Sequence, residues 1–177
     1  MKRWKAKILL ALLVPVSTLL LLEGGLRLAG CGYPSSFLVP GLDQGQPVWR
    51  ENPFYAYHIF FPPLARVPSH LLVEQEKPPG VFRVVVLGES AAQGDPTPPF
   101  GPARLLEYAL RERDPQARVQ VINAALTAVN SHVITDIARD VVRLQPDAVI
   151  LYIGNNEVIG PYGPGTVFAP SARWTRG

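Results

Sequence analysis

The chain has 177 residues, 47% of them hydrophobic, with 17 lysines and arginines against 14 acidic residues and a formal net charge of +3. That length accommodates one domain and a short appendage. The mild charge, partly gathered at the N-terminus, excludes the basic stripe of a nucleic-acid binder, and one cysteine excludes an internal disulfide framework and zinc-type Cys/His spacing.

Taken in chain order, Lys2-Arg3-Trp4-Lys5-Ala6-Lys7 precedes fifteen uncharged residues, Ile8 to Leu22. Counting on through Gly30 gives about 20 residues, enough to cross a bilayer with Glu23 and Arg27 near the far interface. Residues 1–30 therefore read as a cytoplasmic basic tip and transmembrane anchor: a single-pass membrane protein with its domain outside, periplasmic or extracellular. Two processed alternatives stand beside this. Leu28-Ala29-Gly30-Cys31 has the form of a lipobox, which would lipidate Cys31, and an ordinary cleaved signal has a similar layout. The charges of Glu23 and Arg27 favour the anchor.

Residues 31–80 shift towards proline, glycine and aromatics, as in Pro53-Phe54-Tyr55 and Phe60-Phe61-Pro62-Pro63, without a sustained period. They read as an extended stalk with some aromatics packed on the domain and Pro78-Pro79-Gly80 at its end. His58 and His70 lie there without metal-type partners at suitable spacing, so they read as surface or packing residues.

From residue 81 the pattern alternates. Val81 to Leu87 is a continuous apolar strand, and a Pro-rich loop, Asp95 to Pro102, leads to a helix near Ala103 to Arg113 with apolar positions at Leu105, Leu106, Ala109 and Leu110. Val119 to Ala125 is a second strand. Ser131 to Leu144 is a helix with an inward stripe of Val133, Ile134, Ile137, Val141, Val142 and Leu144, and Ala148 to Ile153 is a third strand. Such alternation implies a parallel sheet covered on both faces, a three-layer α/β/α flavodoxin-like arrangement. Three strands leave an unpaired edge, so residues 81–177 read as an incomplete domain, either a truncated product or one completed from outside the chain.

Ligands of such sheets sit at the carboxyl ends of the strands where the strand order reverses. With an order beginning 2-1-3, the first and third strands are neighbours. Ser90 after Gly88-Glu89 and Asn156 after Gly154-Asn155 then face one crevice. A serine there can attack an acyl carbonyl if a base takes its proton and preplaced donors receive the oxyanion. The structural alternative is a strand-to-loop turn with a capping serine.

Gly88-Glu89-Ser90-Ala91-Ala92, then Asn123-Ala124-Ala125-Leu126-Thr127-Ala128, then Gly154-Asn155-Asn156-Glu157-Val158-Ile159-Gly160-Pro161-Tyr162-Gly163 resemble the three ordered blocks of the SGNH (GDSL-type) hydrolase family. The likeness is to its membrane-anchored bacterial branch and covers Val81 to Phe168, about half of the chain. It implies Ser90 as nucleophile and backbone donor to the oxyanion, and Asn156 as side-chain donor. Ala128 falls at the glycine whose N–H is a further donor; a methyl there crowds the approach and makes a positive φ costly. Glu89 replaces the commoner aspartate and is expected to orient the loop. Asp95 would cap or line the pocket, Asn130 would bond the catalytic loop, and Asn155 and Glu157 would hold the Asn156 turn.

The family's Asp-x-x-His block has no counterpart after Asn156. His132 could be offered as a substitute base, but beside Asn130 and Ser131 it reads as helix-start polarity. The expectation is a membrane-tethered esterase or acyl-hydrolase domain acting on acyl esters, with envelope glycans among the substrates, and using no cofactor or metal. The alternative is a non-catalytic anchored binding or scaffold fragment.

Overall fold

A computed structural model describes residues 2–166, with the side chains of Lys2, Arg3, Lys5 and Ala6 left aside; the polar tail from residue 167, including the end of the matched stretch, lies outside the described residues. The chain forms two compact units, residues 1–33 and 34–177.

The first unit is helix α1 (Lys2–Leu28), in which Lys7–Leu28 is long and apolar enough to cross a membrane. Its end is set by Gly30 at φ +70°: Gly30 donates to Arg27 O and Cys31 to Leu26 O, the paired bonds of a Schellman stop. The small residues before the exposed Cys31 thus have a structural use.

The second unit is mixed α/β. Strands β1 (Leu38–Asp43), β2 (Gln46–Glu51) and β3 (Leu72–Glu74) form an antiparallel sheet in that order. This corrects the expected stalk. Gln44 and Gly45, both at positive φ, close the β1–β2 hairpin in the primed turn that strand twist favours. Phe37, Leu38, Tyr55, Ala56, Phe60, Leu71 and Val73 from this segment are buried in the main core.

The other sheet is parallel: β4 (Val81–Gly88) lies between β5 (Arg118–Asn123) and β6 (Ala148–Tyr152). The strand order is therefore the 2-1-3 expected. Alternation along β4 sends Val85 and Leu87 to the core shared with the 34–73 segment and helix α4 (Ser131–Val141). Val86 goes to the opposite cluster, with Ala92 of α2 (Ser90–Gln93) and Ala103 of α3 (Pro102–Arg113).

Two details of the helices differ from expectation. In α3 the sheet-facing row is Ala103, Leu106, Glu107 and Leu110, while Leu105 is exposed; Glu107 is tolerated inside because Arg104 and Arg111 both pair with its carboxylate. In α4 the helix tightens into a 3-10 turn at Val142–Leu144, which turns Val142 out to solvent.

At the amino end of β4, Arg83 is fully buried; its Nε donates to Gln120 Oε1 (2.8 Å) and its Nη1 to Leu144 O (2.6 Å). Burial pulls its pKa below the ordinary value, with Glu74 and Asp147 opposing. At the other edge, β6 leaves Val149, Ile150, Leu151 and Tyr152 exposed on both faces.

Candidate active site

The site grows from the end of β4. Gly88 pairs with Tyr152, and a Cβ at Gly88 would overlap both the Tyr152 carbonyl oxygen and the Ala92 methyl, so only glycine lets strand, turn and neighbour approach this closely. Glu89 is extended (φ −99°, ψ −159°) and Ser90 opens the single turn of α2. Gly94 ends that turn at φ +88°, and the N–H groups of Gly94 and Asp95 both donate to Ser90 O at 3.0 Å. The serine is thereby held on a tight strand-to-helix corner and remains partly exposed.

The tips of β4 and β6 are tied directly. Glu89 is 2% exposed, and its Oε1 accepts the Gly154 N–H at 3.0 Å. Adjacent parallel strands lie about 4.8 Å apart, so this bond holds the start of the Asn155–Asn156 turn beside the Ser90 corner. Glu89 positions the loop; its burial removes it from contact with a substrate, a correction to its placement among binding residues.

Residues 124–130 form the third wall. Ala124 N–H donates to Val86 O and Leu126 N–H to Gly88 O, so the parallel pairing continues past β5 up to the corner. Asn123 Nδ2 donates to Gln93 O (3.1 Å), and Gln93 Oε1 accepts from both the N–H (2.6 Å) and the hydroxyl (2.7 Å) of Thr127. Sequence reasoning missed Gln93 and Thr127 as positioning residues; a buried glutamine one turn after the serine was the available signal. Ala128 sits at φ +65°, the left-handed backbone that glycine would adopt freely.

The Asn156 turn is anchored to the start of α4. Asn130 precedes the helix but does not cap it; it is fully buried and its Nδ2 donates to Pro161 O at 2.6 Å. The capping falls to Glu157, whose carboxylate accepts the Ser131 N–H (2.9 Å) and the Ser131 hydroxyl (2.6 Å). Asn156 O accepts the Gly160 N–H at 2.7 Å, and a Cβ at Gly160 would press on Asn130. The expected ties through Asn130 and Glu157 are thus present. Asn155 is exposed in the turn without a bond among the described residues, and exposed Asp95 meets the Thr127 hydroxyl only at 3.4 Å.

Among the described residues, none bonds the Ser90 hydroxyl, the Ala128 N–H or the Asn156 carboxamide. A hydroxyl and unbonded donors at one mouth can receive an acyl carbonyl oxygen. No histidine serves the serine: His58 Nε2 meets Pro34 O, His70 Nδ1 meets Glu51, and exposed His132 lies edge-on to Tyr162 with ring centroids 6.5 Å apart. The described residues offer no group of three or more metal ligands. No family model, curated protein or solved structure matches this chain.

Proposed function

We propose that the second unit carries the nucleophile and oxyanion half of an SGNH-like, flavodoxin-type serine acyl-transfer site, held at a membrane by α1. Ser90 attacks the ester carbonyl. The N–H groups of Ser90 and Ala128 and the Asn156 carboxamide receive the developing oxyanion, each such donor being worth about 10²–10³ in rate. Turnover needs a general base, worth typically ~10²–10⁴, which no described residue presents to Ser90; an Asp-x-x-His segment would supply it. The basic residues before the span support an orientation with the domain outside the cytoplasm, where acyl esters of envelope glycans would be the substrates.

The observation that supports this reading is the Glu89–Gly154 bond between neighbouring strand tips, with Ser90 the next residue after Glu89 and Asn156 two residues after Gly154. The test is a serine-reactive fluorophosphonate applied to the chain joined to an Asp-x-x-His segment in membranes. Ser90 becomes labelled, Ser90→Ala abolishes the label, and Asn156→Ala slows it by about 10²-fold. A folded protein in which Ser90 stays unlabelled leaves the non-catalytic anchored reading in its place.

A further inference from the structure

A groove of about 390 Å³ opens on the α4 side of the second unit, lined among others by Tyr55, His58, Asp136, Arg139, Asp140 and Tyr162. Tyr162 belongs to the same glycine- and proline-rich loop as Asn156, so the groove adjoins a wall of the acyl-transfer mouth.

Three features of this groove have no use in the site already described. Tyr55 is 5% exposed, yet its hydroxyl has no hydrogen-bond partner among the described residues. Burial first, and then the nearby Asp136, Asp140 and Tyr162, all of which line the groove, raise that hydroxyl's pKa above its ordinary value and keep it a donor. Tyr162 is 68% exposed and held at φ +64°, a backbone conformation costly for an aromatic residue. Finally, each carboxylate already faces a cation, Asp136 pairing with Arg139 at 2.6 Å and Asp140 with Arg143 at 3.5 Å, and the other oxygen of the mostly buried Asp140 accepts the Phe37 N–H.

Because the charges are matched internally, the groove has little to gain from a cationic ligand. What remains on offer is an exposed aromatic face, a phenolic donor that reaches the groove and the exposed Asp136 carboxylate. That combination suits a neutral ring bearing hydroxyl groups, which stacks by its C–H face and exchanges hydrogen bonds at its rim.

We propose that this groove is a saccharide subsite, with Tyr162 as the stacking platform and the Tyr55 hydroxyl with the Asp136 carboxylate as rim partners. It rests on the acyl-transfer reading only in taking the bound sugar as the alcohol part of the ester. The subsite would make the substrate a glycan acyl ester.

The test is saturation-transfer NMR on the full chain in lipid nanodiscs, free of sugar detergents, with chitotetraose and cellotetraose as probes and tetramethylammonium as the cationic control. Saccharide binding is expected, weakened about tenfold by Tyr162→Ala, the loss of one aromatic face. Tyr55→Phe, which keeps the ring packed on Phe37, is expected to weaken it several-fold with the melting temperature unchanged. Absence of transfer to both saccharides, equal binding by wild type and both variants, or binding of tetramethylammonium alone overturns the proposal. Saccharide binding lost while Ser90 of the chain joined to an Asp-x-x-His segment still reacts with fluorophosphonate removes the groove alone; labelling lost in that joined chain while saccharides still bind removes the acyl-transfer reading and leaves the groove standing.

Discussion

Glu157 is the sharpest point at which to perturb the scaffold, because one carboxylate joins the Asn156 turn to a helix 26 residues earlier. It accepts two bonds from Ser131, one from the N–H and one from the hydroxyl, at the positive end of α4. Hydrogen bonds to a charged acceptor are worth about 1.5–3 kcal/mol each when buried, and the helix dipole adds ~0.5 kcal/mol. Both groups are only partly buried and can be rehydrated, so Glu157→Ala should cost about 2–3 kcal/mol in all. Glu157→Gln keeps one acceptor and should lose about 1 kcal/mol. For a unit of this size 1 kcal/mol shifts the midpoint by roughly 3 °C, giving drops of roughly 6–9 °C for alanine and 3 °C for glutamine. Thermal unfolding followed by circular dichroism measures both, and a double-mutant cycle with Ser131→Ala should return about 1 kcal/mol of coupling. An alanine variant melting within a degree of wild type, or strict additivity in the cycle, would refute the capping role. The same variant should also cut Ser90 labelling about 10²-fold, since the asparagine turn loses its registration.

Three further substitutions probe the corner and the sheet. At Ala128 three effects compete: relief of left-handed strain worth about 1–2 kcal/mol, an unfolded-state penalty for glycine of about 0.4–1, and a half-buried methyl worth about 0.4. Ala128→Gly should therefore be neutral to mildly stabilising, whereas Ala124→Gly, fully buried and without positive φ, should lose more than about 1 kcal/mol; equal losses in denaturant titration would contradict the strain assignment. Asp147 is held below its ordinary value of 3.8 by the Lys77 ammonium and by the Arg83 N–H, so its folded-state pKa is depressed. Its stabilising contribution is present above the unfolded value and fades as pH falls through the depressed one, so the melting difference between wild type and Asp147→Asn should shrink between pH 6 and pH 3; a difference that widens on acidification would reverse the sign.

The parallel sheet was legible because β4, apart from Arg83, and β6 are apolar runs that end at or just before a glycine, and α4 with the turn after it carries a stripe from Val133 to Leu144 at helical spacing. The β1–β3 sheet was not, for physical reasons visible in its residues. Pro40 and Pro47 stand inside strands, where proline argues against a ladder, and the hairpin turns on Gln44-Gly45 rather than on a stronger Asn-Gly signal. Its buried aromatics, Phe37, Tyr55 and Phe60, follow no strand or helix period because they enter the core from loops and a short 3-10 turn. Short motifs led to Ser90, Asn156 and Ala128, which the structure places just after β4, after β6 and after β5. The ties that hold these residues, Gln93 to Thr127 and Glu157 to Ser131, join segments 34 and 26 residues apart and exist only once the sheet has formed.

The way β6 is held explains how a precise loop can stand on an open strand. Val149 to Tyr152 have the sequence of an interior strand, yet both faces are open, so packing does little to locate it. Its ends are pinned instead. At the start, Asp147 N–H donates to Arg83 O while the Asp147 carboxylate accepts from Arg83 N–H and Lys77. At the finish, Glu89 holds Gly154, Glu157 holds Ser131 and Pro161 O receives Asn130. Polar ties fix position sharply over short distances, whereas apolar burial is non-directional. Covering the open faces of β6 would therefore add stability to the strand while leaving the Asn156 turn where the carboxylates of Glu89 and Glu157 already place it.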